Sequence, residues 1–149
     1  MLSCQLFDSD SCTFTYLLAS SAGAEALIID PVVSKLDRYL TLLNELNLHL
    51  MKVIYTHVHN DHITALGALR DKTNCITVMG KESSVDVVSM RVEDGDKIEI
   101  DCIFLDVIYT PGIPMIHIVF LPGMVFTGDT LFIRGTGRTD FQHGSSARA

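Results

Sequence analysis

The chain has 149 residues, 48% of them hydrophobic, with 18 acidic against 11 basic side chains and a formal net charge of -7. That length and apolar content suit one globular domain over 1–149 with a core of its own, and they exclude a disordered chain. With no Lys/Arg cluster to offset its acidity, the chain lacks the electrostatic footprint of a nucleic-acid or anionic-membrane partner, so small molecules are the expected ligands.

Leu6-Phe7, Thr13 to Leu18 and Ala26 to Ile29 are short β-rich runs separated by Asp/Ser and Ser/Gly clusters, which reads as the opening meander of a sheet. Asp30-Pro31 closes the third run. Ser34, with Asp37 three residues later, predicts a capping-box start for a helix. Leu36, Leu40, Leu43 and Leu46 then recur at spacings of four, three and three, so the helix runs to about Asn47 and lays these leucines on the sheet. Met51 to Tyr55 is the next strand, and the strand, helix, strand order favours a parallel crossover.

Ile63 to Arg70 reads as a short helix with Ile63, Leu66 and Leu69 facing inward and Gly67 allowing close approach to a neighbour. Ile76 to Met79 is a strand, whereas Val85, Val87 and Val88 lie in a stretch that suits strand or loop. The acidic Glu93-Asp94-Gly95-Asp96 reads as a solvated turn before the strand Lys97 to Ile100. Phe104 to Tyr109, Ile116 to Leu121 and Met124 to Phe126 follow as strands. Val107 to Gly128 contains no Asp, Glu, Lys or Arg, but Pro111, Gly112, Pro114, Pro122 and Gly123 break it, so it reads as short buried strands and not a membrane helix.

Cys4, Cys12, Cys75 and Cys102 form no C-x-x-C pair and suggest reduced thiols. The start, Met1 to Gln5, has neither the basic residues nor the apolar run of a secretory signal, so a cytoplasmic protein is expected.

Chemistry concentrates in Thr56-His57-Val58-His59-Asn60-Asp61-His62, where three imidazoles and a carboxylate fall within six residues after the apolar run Val53-Ile54-Tyr55. Imidazole nitrogen and carboxylate oxygen are the donors that suit zinc or iron, and the loop at the carboxyl end of a buried strand is where such ligands are held. The plainer reading is a polar loop of solvated histidines. Downstream, Thr127-Gly128-Asp129-Thr130 places a second carboxylate at the end of a strand.

The His-x-His-x-Asp-His loop, the Thr110-Pro111-Gly112 turn and Gly128-Asp129-Thr130 together resemble the metallo-β-lactamase superfamily, in order and spacing, across nearly the whole chain. Gly128 to Gly135 followed by Gly137-Arg138-Thr139-Asp140-Phe141-Gln142 is similar to the persulfide dioxygenase branch. The related hydroxyacylglutathione hydrolases (glyoxalase II) share only the first half of that segment. The resemblance implies an α/β fold, an αββα sandwich of two mixed sheets with helices outside and the metal at one edge.

In the dioxygenase reading it implies one Fe(II) on two histidines and an aspartate, which map to His57, to the residue after Gly112, and to Asp129. Glutathione persulfide is then oxidised to sulfite and glutathione. Asp61, His62, Arg138 and Asp140 are candidates to orient the metal's ligands. In the hydrolase reading two ions, zinc for example, are held by His57 and His59 and by Asp61 and His62, bridged by Asp129, and a metal-bound hydroxide attacks a thioester.

Two departures keep a third reading open, a non-catalytic member of the family. Ile113 stands where the family has a ligand histidine, with His117 four positions on as a possible substitute. The chain also ends at Ala149, where the family continues through further elements that supply another histidine and most of the glutathione contacts. His143 and the final residues read as a tail. Uncovered apolar faces are then expected, and with them a tendency to self-associate as a homo-oligomer.

Overall fold

The computed structural model describes residues 1–57, 64–81, 83, 85–110, 116–132 and 134–136, and for 116–120 and 132 the backbone alone. Its first sheet has six strands, β1 (Leu2–Asp8), β2 (Thr13–Ala19), β3 (Glu25–Ile29), β4 (His49–Ile54), β5 (Ile76–Gly80) and β6 (Met90–Val92), in that order. The first three pair antiparallel and the last four pair parallel. The crossover predicted from the strand, helix, strand order is the β3 to β4 connection, made by α1 (Leu36–Glu45). A second helix, α2 (Leu66–Thr73), connects β4 to β5.

The second sheet, β7 (Lys97–Ile100), β8 (Ile103–Thr110), β9 (Ile116–Leu121) and β10 (Met124–Phe126), is antiparallel throughout among the described residues, where the family resemblance implies a second mixed sheet. The described parts of the stretch after Val107 thus form strands, with a turn at Pro122-Gly123 between β9 and β10, while 111–115 lie outside the described residues. A two-stranded hairpin, β11 (Leu131–Phe132) and β12 (Gly135–Thr136), follows and was not foreseen.

Alternation along the central strands divides the core in two. Leu17 on β2 and Ile28 on β3 join Tyr39, Leu43, Leu66 and Leu69 of the helices, while Leu18, Leu27 and Ile29 join Ile98, Leu105, Val107 and Phe126 of the second sheet. Strand side chains point to opposite faces in turn, so one sheet carries helices on one side and a sheet on the other. Among the described residues the far face of the second sheet has no helix over it, and Phe104, Ile108 and Val125 are exposed there. No described helix is long and apolar enough to cross a membrane.

Four local expectations are corrected. Ser34 makes no cap: it lies in a 3-10 turn, Val33–Lys35, closed by Lys35 N–H donating to Val32 O at 3.1 Å, and α1 starts only at Leu36 with no side-chain cap. Leu43 is buried as predicted, but Leu36, Leu40 and Leu46 are only partly so, and Tyr39 fills the space beneath α1 at 2% exposure. Gly67 makes no close approach among the described residues, since a side chain there would meet none of their atoms within 4 Å. α2 begins three residues later than expected and ends at Asn74 in the left-handed conformation (φ 57°), which asparagine tolerates.

Candidate metal centre

Register decides which residues can meet. Ile29 pairs with Ile54, and Ile54 with Val78, so the parallel strands β3, β4 and β5 end level at one edge of the sheet. Asp30 leaves β3 there, and Tyr55-Thr56-His57 leave β4 beside it. Loops at the carboxyl ends of parallel strands are where α/β proteins gather chemistry.

Asp30 is 6% exposed and has φ 50°, a left-handed conformation that aspartate accepts more readily than most residues. Its carboxylate receives Thr56 N–H at 2.8 Å on Oδ1 and the Thr56 hydroxyl at 2.7 Å on Oδ2. Its carbonyl accepts from the Thr15 hydroxyl at 2.8 Å, which in turn lies 3.0 Å from the Tyr39 hydroxyl, and Tyr39 takes Val32 N–H at 3.1 Å. The Tyr55 hydroxyl donates to Pro31 O and accepts Ala65 N–H at 2.9 Å. Burial, and then the Asp30 charge, push the Tyr55 phenol well above its ordinary pKa, so it remains a donor. Two buried tyrosines and a threonine therefore fix the bend that carries Asp30.

The relay sets the state of His57. Thr56 Oγ1 has one proton, given to Asp30, so toward His57 Nδ1, 2.8 Å away, it can only accept. The network therefore places a proton on Nδ1, and in the neutral imidazole the lone pair is then on Nε2. That Nε2 lies 3.4 Å from Asp129 Oδ2, with His57 buried and the Asp129 side chain 59% exposed.

Two lone-pair donors facing each other fit a shared cation. A charge-assisted hydrogen bond would close to about 2.7–2.9 Å. Ligands of one ion at bonds of roughly 2.0–2.2 Å instead stand roughly 3.0–3.5 Å apart. Gly128 makes this approach possible: it has φ 48°, and a Cβ there would fall 2.6 Å from Thr56 Oγ1 and 2.9 Å from His57 Nδ1.

Of the residues nominated from sequence, His57 and Asp129 are brought together. His59, Asp61, His62, Ile113, Arg138, Asp140 and His143 lie outside the described residues, as does the side chain of His117. Among the described residues no group of three His, Cys, Asp or Glu gathers around one point. Sequence reading missed Asp30, the acceptor role of Thr56, and the steric need for Gly128. The one available signal for Asp30 was an acid placed directly after a wholly apolar run.

The model of the metallo-beta-lactamase superfamily matches residues 13–87, half of the 149-residue chain, and the chain belongs to that superfamily. It is similar to the mitochondrial persulfide dioxygenase ETHE1 of Homo sapiens, 42% identical over 144 residues that cover 94% of this chain and 56% of the relative. The crystal structure of ETHE1 from Myxococcus xanthus has 43% identity and a TM-score of 0.92, over 97% of this chain and 64% of that one. A hydroxyacylglutathione hydrolase of Photobacterium profundum is 31% identical, over 93% of this chain and 54% of the relative. The chain thus spans about half the length of the curated relatives it matches.

Proposed function

We propose that this chain binds Fe(II) and belongs functionally with the persulfide dioxygenases, oxidising glutathione persulfide with dioxygen and water to sulfite and glutathione. The observation that carries the reading is the 3.4 Å pairing of His57 Nε2 with Asp129 Oδ2, two acceptors arranged as ligands of one ion. Identity to the persulfide dioxygenases exceeds that to the hydroxyacylglutathione hydrolases, and this favours the dioxygenase branch.

In this reading His57 and Asp129 hold the iron, and His59, Asp61 and His62 supply further ligands or hydrogen bonds to them. Iron of this kind, when bound, offers open positions to a sulfur ligand and to dioxygen. Asp30, through Thr56, keeps a proton of His57 on Nδ1, so that Nε2 is the ring atom that turns its lone pair to the ion. Arg138 and Asp140 are proposed to orient the surroundings of the ion. Ile113 has no lone pair, so iron would be held by fewer protein ligands than the family motif provides. The four free cysteines suit a reducing compartment such as the cytoplasm.

Oxygen uptake by the iron-loaded chain with glutathione persulfide is the test. Uptake coupled to sulfite release supports the reading, and its absence in protein shown to hold iron refutes it. The alternative, a thioester hydrolase, is favoured by the complete His-x-His-x-Asp-His set. It predicts two ions per chain and cleavage of a hydroxyacylglutathione thioester instead.

A further inference from the structure

Asp129 sits inside a short turn whose fixed geometry leaves one polar atom without a partner among the described residues. Thr130 N–H closes the turn onto Thr127 O at 3.0 Å, and the Thr127 hydroxyl donates to Leu131 O at 3.1 Å. Gly128 is seated against Thr56 and His57, so the turn cannot shift toward β4. Within it the hydroxyl oxygen of Thr130 is buried and makes no hydrogen bond among the described residues. Threonine is stiff at χ1 because its Cβ is branched, so the hydroxyl stays near this orientation.

A buried hydroxyl with no partner keeps its desolvation cost uncompensated, and buried polar groups are otherwise almost always satisfied. Valine has the same shape and would carry no such cost at this half-buried position. We propose that Thr130 is a positioning residue whose hydroxyl is reserved for a non-protein ligand of the ion at Asp129. That ligand carries a lone pair, either solvent oxygen or the sulfur of a thiol or persulfide substrate. The hydroxyl donates to it and so fixes where it stands relative to Asp129. The proposal rests on the iron reading above.

The experiment compares the full wild-type chain with Thr130→Val and Thr130→Ser, measuring thermal unfolding without metal, and Fe(II) affinity with and without added glutathione under anaerobic conditions. The metal-free Thr130→Val chain is expected to be as stable as wild type or more so, while its Fe(II) affinity falls about 10-fold, the loss typical when a ligand's hydrogen-bond partner is removed. Thr130→Ser restores the hydroxyl and should restore affinity. A loss seen with Fe(II) alone identifies solvent as the partner, and a loss seen only with glutathione present identifies the thiol sulfur. Unchanged affinity in both arms, or a metal-free Thr130→Val chain markedly less stable than wild type, overturns the proposal. If wild type itself takes up no Fe(II), the iron reading has failed and removes the ground for this one. If wild type binds and the variants do not differ, this proposal alone has failed.

Discussion

His57 Nε2 and Asp129 Oδ2 stand 3.4 Å apart, although 72 positions separate them in the chain and they arrive from different sheets. His57 follows β4 of the first sheet and Asp129 follows β10 of the second, so this pair joins the two sheets at one edge. Three features serve the approach: the Asp30–Thr56 relay behind the imidazole, the missing side chain at Gly128, and the level ends of β3, β4 and β5.

Thr56→Val retains shape and removes the hydroxyl that joins Asp30 to His57. One hydrogen bond to a buried carboxylate is lost, and the imidazole loses what fixes its tautomer. Denaturant unfolding should show a loss of about 1–3 kcal/mol. Fe(II) titration should show affinity lower by roughly 10–100-fold. A variant with wild-type affinity would show that the relay does not prepare the histidine.

Gly128→Ala forces a methyl group into contact with Thr56 and His57 at a left-handed φ of 48°. The turn must then move, carrying Asp129 away from His57. We expect destabilisation of at least about 1 kcal/mol together with loss of metal binding. Gly95→Ala is the control, because it too has positive φ (84°) but meets no neighbouring atom, so it should cost stability without touching metal affinity.

Asp8, at the end of β1, accepts hydrogen bonds from Ser11 and an ion pair from Lys35 at 3.1 Å, and these hold its pKa at about 2 against an ordinary 3.8. Between those two values the unfolded chain binds more protons than the folded one, so stability rises with pH. The contribution is complete above about 3.8 and disappears as pH falls to about 2. Denaturant midpoints measured across that window should lose part of their slope in Asp8→Asn.

Cys12 and Cys102 are exposed and Cys75 is buried, with desolvation as the main cause raising its thiol pKa. The thiolate is the reactive form. A thiol reagent should therefore label Cys12 and Cys102 in the folded chain, and Cys75 only after denaturation. Mass spectrometry of the labelled peptides reads the result directly.

The parts of the site that sequence revealed are those with local density. Three histidines and an acid within six residues draw the eye, and Gly128-Asp129-Thr130 is a compact signature, so both members of the neighbouring pair His57 and Asp129 were nominated from sequence. Asp30 was not, because an aspartate before a proline reads equally well as a strand-ending turn. Its hydrogen bonds to Thr56 span 26 positions and depend on the parallel register of β3 with β4.

Tyr39 was hidden for a different reason. The leucines of α1 already accounted for an apolar stripe, while the phenol is buried for the sake of Thr15 and Val32, partners that periodicity does not reveal. The edge strand β6 and the hairpin β11–β12 are two or three residues long, too short for alternation to show. β1 extended further than its apolar pair Leu6-Phe7 because its pairing with β2 runs the full length from Leu2 to Asp8, exposed polar residues included.

If His57 and Asp129 share one iron ion, anaerobic calorimetric titration of the metal-free chain with Fe(II), set beside Asp129→Ala, will show one ion bound per wild-type chain and affinity at least about 100-fold lower in the variant. A wild-type chain that takes up no Fe(II), or an Asp129→Ala chain that binds as tightly as wild type, would contradict that sharing.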